Sequence, residues 1–289
     1  MTAATEVTIV TLDGDLVPPG TPLLYADDLA ALRGDGVFET LLVRDGAACL
    51  LDAHLRRLAN SAGLMDLPEP DLPAWRSAVQ TAVRQWTAGS TAEAALRLIY
   101  SRGREHGSAP TGYAMITPLP ARVADARRDG VAALTLDRGL PAAGGAPTPW
   151  LLAGAKTLSY AINMAALRHA ARQGADDVIF VSADGYVLEG PRSTVVICCD
   201  RRLRTPPPSH GILHGTTQQA LFEVAQPAGY TCEYQPLRPA DLVAAQDIWL
   251  VSSITLAARV HTLDGAKRPP GEATAEFARL VDAAIAGDR

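Results

Sequence analysis

Residues 151–174 read LLAGAKTLSYAINMAALRHAARQG. Leu158, Ile162, Ala166 and Ala170 recur at helical spacing and Gly174 is a natural residue to follow a helix end, so the stretch predicts a long helix opening at Lys156. On its N-terminal side residues 131–136 predict a strand, and a Gly/Pro-rich loop runs through Gly144 and Pro149. On its C-terminal side DDVIFVSADGYVLEG (176–190) reads as a hairpin turning at Asp184-Gly185, and TVVICCD (194–200) as a further buried strand. Strands alternating with helices make an α/β chain.

The lysine in this stretch is unusual. Only two of the 26 basic residues are lysines, Lys156 and Lys267, against 24 arginines. A codon bias toward arginine explains the count, and it leaves lysine mainly where arginine cannot serve. Arginine stays protonated, whereas lysine can lose its proton when desolvated and form an imine. Lys267 lies in the loop-like AKRPPG and is expected at the surface. Lys156 sits at the mouth of the expected helix.

Working outward, residues 7–12 and 37–43 predict strands. A helix follows, with Asp52 as its expected N-cap and Leu55, Leu58, Ala59 and Ala62 on one face. His54 and Arg57 share another face, and Arg56 points to the surface. A second helix opens at Asp71, with Pro73 in its first turn and Trp75, Val79, Val83 and Trp86 inward. AALRLIYSRG alternates Leu96, Leu98 and Tyr100 against Arg97, Ile99 and Ser101, a half-buried strand ending at Arg102-Gly103. The Pro-containing TPLPAR breaks the pattern and reads as a linker. The expected organisation is therefore a domain over 1–117, a linker at 118–122 and a domain over 123–289.

The chain has 289 residues, 48% hydrophobic and 20% charged, which is enough for a substantial core. Its net charge of −5 gives no overall basic field, and no nucleic-acid partner is expected. No run approaches the roughly 18 apolar residues of a membrane helix, and MTAATEVTIV lacks a signal-peptide pattern, so a cytoplasmic location without membrane association is expected. Cys49, Cys198, Cys199 and Cys232 form no C-x-x-C pair and read as buried free thiols. His210 and His214 are four apart, but Gly211 and the preceding prolines argue against a helix, so no metal site is expected. Neither G-x-S-x-G nor a P-loop occurs.

Two segments resemble anion cradles. In GILHGTTQQALFEVA (211–225) a glycine and two threonines precede a helix with Leu221, Phe222 and Ala225 inward, and in DIWLVSSITLAARV (247–260) a buried strand stops at Ser252-Ser253. Lys156, an acid 33 residues later at Glu189, two hydroxyl-rich cradles and Arg57 form a coherent set. An aldehyde cofactor carrying a phosphate needs an amine for the imine, a carboxylate for the ring nitrogen and donors for the phosphate, and pyridoxal 5'-phosphate fits that description.

RGDGVFETLLVRDG (33–46), HLRRL (54–58), AKTLSYAIN (155–163), YVLEGPRSTVV (186–196) and GILHGTTQQAL (211–221) together resemble the class IV pyridoxal-phosphate aminotransferase family, in order and over almost the whole chain. That family includes branched-chain and D-amino acid aminotransferases and 4-amino-4-deoxychorismate lyases. The resemblance implies the two-domain α/β (α+β) type IV fold, with a smaller N-terminal and a larger C-terminal α/β domain, the cofactor between them, and a homodimer. It implies that Lys156 forms the imine, Glu189 faces the pyridine nitrogen, and Arg57 binds the phosphate together with Gly215, Thr216, Thr217, Ser252 and Ser253.

GDGVFET and the strand ending in SRG are most similar to the lyase branch. That branch eliminates pyruvate from aminodeoxychorismate to leave 4-aminobenzoate, a folate precursor, with Lys156 removing the proton at the amine-bearing carbon. Arg102 first, and Arg97 second, are expected to hold the carboxylate of this small-molecule substrate. Ser159 stands where the lyases usually carry Asn, and REHGSAPTGY (104–113) lacks their second Arg-Gly-Tyr. A D-amino acid or branched-chain-like aminotransferase is the alternative, and a cofactor-free, non-catalytic relative the remote one.

Overall fold

The computed structural model describes residues 7–18, 20–107, 109–142 and 148–286; the expected loop position Gly144 lies outside them. The chain divides into two compact units. One runs to Pro120 and includes Ala155–Tyr160; the other comprises Ala121–Gly154 and Ala161–Gly287.

The first unit is built on an antiparallel sheet of β1 (Thr8–Thr11), β2 (Leu16–Val17), β3 (Gly36–Arg44), β4 (Ala47–Ala48), β5 (Ala94–Ser101) and β6 (Thr111–Pro118), in the order β2-β1-β6-β5-β3-β4. Three helices accompany it: α1 (Leu29–Arg33), α2 (Leu51–Leu64) and α3 (Leu72–Thr87). Alternation decides which face is covered. Val37, Leu41, Leu96, Leu98 and Ile116 join Leu55, Leu58, Ala62, Trp75, Val79, Val83 and Trp86 in one core. Each large side chain so buried contributes roughly 1.5–3 kcal/mol. The other face carries Phe38, Thr40, Arg97, Ile99, Tyr113 and Met115, all half-buried, with Phe38 opposite Ile99 and Arg97 flanked by Thr40 and Met115.

Helix starts differ in how well their chemistry is written locally. Asp71 caps α3 by accepting from the Ala74 N–H at 2.9 Å, as its sequence predicts. Asp52 is not the cap of α2. That place falls to Leu50 in the left-handed region (φ 54°), while Asp52 lies in the first turn and pairs with Arg76. An aspartate in the first turn still favours the positive helix end, and this is why it resembles a cap in sequence. Between β6 and α4 (Ala121–Asp129) only Leu119 and Pro120 intervene, so much of TPLPAR lies in regular structure.

In the second unit, β7 (Val131–Asp137), β8 (Asp177–Val181), β9 (Thr194–Cys199), β10 (Arg202–Thr205), β11 (Thr231–Tyr234), β12 (Asp247–Ser252) and β13 (Leu256–Leu263) form a sheet in the order β11-β10-β9-β12-β13-β7-β8, with β14 (Ala266–Lys267) beside β13. The pairs β10–β11, β13–β7 and β7–β8 are parallel and the others antiparallel. The remaining helices are α5 (Ala161–Arg172), α6 (Thr216–Ala225), α7 (Pro239–Ala244) and α8 (Thr274–Ala286). Ile179, Val195, Ile197, Ile248, Leu250 and Val260 form its central core. The expected hairpin exists: Ser182 N–H donates to Tyr186 O at 2.8 Å around Asp184-Gly185, and Val187 bridges Val181.

The expected helix after Lys156 starts later than its periodicity suggests. α5 opens at Ala161; Ala166 and Ala170 are buried as expected, Leu158 precedes the helix, and Ile162 is 62% exposed. Residues 156–158 are drawn instead into extended pairing in the first unit, as described next. Lys267 is exposed on β14, Arg56 is exposed, and Cys199 and Cys232 are half-buried while Cys49 and Cys198 are buried.

Candidate active site

Lys156 is positioned by its backbone. Phe38 N–H donates to Lys156 O at 3.0 Å, Leu158 N–H donates to Gly36 O at 2.8 Å, and Thr157 bridges Val37, so the segment lies antiparallel along the start of β3. The Lys156 N–H donates to Ser61 Oγ on α2 at 3.1 Å. Gly36 makes this possible, because a Cβ there would come within 2.8 Å of both Leu158 Cδ1 and Ser101 Cα. The Lys156 ammonium lies 4.6 Å from the centroid of the Phe38 ring.

Arg57 and His54, predicted to share a helix face, converge on a residue that sequence reasoning missed. Glu39 has no solvent exposure, and its carboxylate accepts from Arg57 Nε and Nη2 at 2.7 Å each and lies 2.7 Å from His54 Nδ1. Burial pushes the Glu39 pKa up, but the Arg57 charge and hydrogen bonds, aided by His54, outweigh it and hold the carboxyl well below the usual range. Burial lowers the His54 pKa against the opposing pull of Glu39. At neutral pH the cluster is a carboxylate, a guanidinium and a neutral imidazole donating from Nδ1. The signal was present in GVFET, where the alternation that buries Val37 and Leu41 also buries Glu39.

In the second unit the two expected cradles are one. Thr216 and Thr217 are the first residues of α6, and their Oγ1 atoms lie 3.5 and 3.4 Å from Ser253 Oγ, just beyond the end of β12. Ser252 is turned to its own loop, its Oγ accepting from the Thr255 N–H at 3.2 Å. Gly215 occupies the N-cap of α6 with no side-chain cap, so the opening N–H groups of a ten-residue helix add to the hydroxyls. Glu189 is tied to the same loop through Leu213, whose N–H donates to its Oε2 at 3.1 Å. Buried hydroxyls, an uncapped helix start and a glycine without room for a Cβ suit a phosphate, so this donor set fits the expected cofactor.

The two substrate candidates separate. Arg102 gives Nε and Nη2 to Asp35 at 2.7 and 3.2 Å, Nη1 to Asp66 O at 3.0 Å and Nη2 to Met65 O at 2.7 Å. Arg102 therefore clasps the loop before β3 to the end of α2. Arg97 is half-buried on the sheet face that carries Phe38 and Thr40, with Nη1 donating to Thr117 Oγ1 at 2.9 Å. His210 ends a short helical turn and His214 follows Gly211, so they share no helix; among the described residues no group of three or more His, Cys, Asp or Glu is placed to hold a metal. No helix among the described residues is long and apolar enough to cross a membrane.

Comparison with known proteins agrees with this geometry. A bifunctional aminodeoxychorismate lyase / D-amino acid transaminase from Mycobacterium tuberculosis is 69% identical over 288 residues, covering 97% of this chain and 100% of that protein. A hypothetical aminotransferase from the same organism, solved in a PLP-bound form and in an alpha-ketoglutarate and PMP bound form, superposes with a TM-score of 0.96 in each case at 70% identity, over 98% of this chain and 100% of the other. A fold IV-transaminase from Curtobacterium pusillum superposes with a TM-score of 0.91 at 42% identity over 98% of each chain, so the two-sheet α/β architecture is that of fold type IV. The model of the class IV amino-transferases matches residues 36–263, from the glycine that admits the lysine segment to the end of β13, and the chain belongs to that family.

Proposed function

We propose that the chain is a pyridoxal-phosphate-dependent lyase that eliminates pyruvate from 4-amino-4-deoxychorismate to give 4-aminobenzoate for folate synthesis, and that it also transaminates D-amino acids. The observation that carries this reading is 69% identity, over the full length of the relative, to a protein bearing both activities in its name. The transaminase half is further supported by the neighbour with alpha-ketoglutarate bound.

As a class IV amino-transferase the enzyme uses pyridoxal 5'-phosphate. When bound, that group supplies a pyridinium ring that withdraws electrons from the substrate carbon next to the amine. In this reading Lys156 would hold the cofactor through its Nζ, and the same amine, when free of it, would take the proton from the substrate carbon next to the amine. Glu189 keeps the ring nitrogen protonated. Thr216, Thr217, Ser253 and the N–H groups opening α6 bind the phosphate, with Ser252 shaping the turn and Gly215 leaving room, and Arg57 adds the cationic partner. Arg97, on the sheet face that carries Phe38 and Thr40, takes the substrate carboxylate in preference to Arg102, whose donors are committed to Asp35 and two carbonyls. Trp150, Leu151, Ile162 and Met164, all exposed in the second unit, are the kind of surface a second copy covers in a homodimer. We place the enzyme in the cytoplasm.

Borohydride trapping and peptide mapping test the lysine: the expected adduct is on Lys156, and an adduct elsewhere refutes its role. The lyase half stands if purified protein releases pyruvate and 4-aminobenzoate from aminodeoxychorismate without an added keto acid. Absolute dependence on a keto acid would leave only the transaminase.

A further inference from the structure

A buried acid beside an arginine assigned to an anion needs a reason, because its charge opposes that of the anion. The Glu39 carboxylate has no solvent exposure, while the Arg57 side chain keeps 12% of its own. Glu39 grips the guanidinium by the Nε–Nη2 edge, at 2.7 Å on both bonds, and His54 Nδ1 fixes the carboxylate from the side at 2.7 Å. Both partners of Glu39 come from α2, one turn apart, and the carboxylate comes from β3 beneath them. Arg57 is thereby held in one rotamer and one guanidinium plane before any ligand arrives. A flexible guanidinium would have to be ordered on binding, and preorganisation removes that cost.

We infer that Glu39 and His54 are positioning residues for anion recognition: they fix the plane of the Arg57 guanidinium so that donors beyond the Glu39 edge meet the cofactor phosphate. This rests on the assignment of Arg57 to the phosphate. The arrangement trades net attraction for geometry. Glu39 and Arg57 nearly cancel in charge, and His54 is kept neutral by burial, its facing charges being Glu39, Arg57 and Lys156. Recognition by this cluster is consequently directional and gains little from bulk electrostatics.

The test compares pyridoxal 5'-phosphate with pyridoxal, which lacks the phosphate, as ligands of cofactor-stripped protein, each followed by its absorbance on binding. In Glu39→Gln, which keeps the shape and loses the grip, pyridoxal phosphate should bind roughly tenfold more weakly while pyridoxal binds as in wild type. His54→Leu should move the ratio the same way, and His54→Asn, which restores a donor, should recover part of it. Were Glu39 merely structural, both ligands would weaken together and the inference would fail. An unchanged ratio in Glu39→Gln alongside a lowered ratio in Arg57→Met overturns the positioning role and leaves the phosphate assignment standing. An unchanged ratio in Arg57→Met overturns both. If Glu39→Gln does not fold, the His54 pair decides on the same readout.

Discussion

Gly215→Ala is a small change that the structure makes expensive. The backbone at Gly215 is ordinary (φ −68°), so alanine has no conformational objection there. The obstacle is space: a Cβ would overlap Thr194 Oγ1 and sit 3.4 Å from both Thr194 Cβ and Gln218 Cβ. Relief requires a shift of roughly 1 Å between the start of α6 and β9 to restore ordinary contact. Thr194 is 6% exposed and Thr216 and Thr217 are 3% and 2% exposed, so the neighbours have little room to yield. Overpacking of this kind costs about 1–3 kcal/mol. The same displacement pulls the Thr216 and Thr217 hydroxyls from Ser253, so affinity for pyridoxal phosphate should fall along with stability. Urea unfolding and cofactor titration measure the two effects. Thr194→Ala removes the clashing oxygen, and the double variant should recover most of both losses in a double-mutant cycle. If Gly215→Ala unfolds and binds like wild type, or if Thr194→Ala restores nothing, the steric account is wrong.

Other outcomes follow from the same geometry. Burial holds the His54 pKa below its ordinary 6.5, so the unfolded chain takes up a proton that the native chain refuses as pH falls below that value. Stability from this residue is therefore complete above pH 6.5 and declines toward acid, by at most about 1.4 kcal/mol per pH unit. His210, lowered by burial in the same direction, adds to the slope, so the decisive measurement is whether His54→Asn flattens urea-unfolding free energies between about pH 6.5 and 5 relative to wild type. Arg97→Ala should raise KM for the carboxylate substrate about tenfold or more, whereas Arg102→Ala should chiefly lower stability by unclasping Asp35 and the Met65 and Asp66 carbonyls. Steady-state kinetics paired with thermal melts separates these, and the reverse pattern would return Arg102 to the substrate. Glu189→Gln should cut turnover by about 10²-fold through loss of the charge at the ring nitrogen, and an unchanged rate would mean that another acid faces it.

What the sequence showed well were features written by local periodicity. The α3 face of Trp75, Val79, Val83 and Trp86, its Asp71 cap and the alternation of β5 depend on neighbours within a few residues. What it hid were elements whose pattern is weak or whose partners are distant. α4 buries only Val123 and reads as a polar stretch after prolines. Periodicity places the start of α5 too early because Leu158 continues the helical apolar spacing, yet its N–H is taken by Gly36 O. Apolar periodicity cannot tell a helical turn from an extended strap when either would turn the same leucine partly inward.

The site divides in the same way. The scarcity of lysine singled out Lys156 because it is a property of one residue, but what Lys156 touches depends on Gly36, which lies 120 positions earlier. The two anion cradles were each recognisable, and their union was not, because Thr217 and Ser253 are 36 residues apart and meet only through the packing of α6 at the end of β12. Glu39 is the sharpest case. A glutamate on the buried face of a strand contradicts the rule that charges stay outside, so read alone it argues for an error of register. Its place becomes intelligible only when His54 and Arg57, one turn apart on α2, are both directed at it, since a buried carboxylate without such partners would be protonated or would prevent the strand from packing. A residue that violates the local pattern while its compensating partners sit elsewhere is what a functional position looks like from sequence, and here the violation marks the carboxylate on which His54 and Arg57 converge.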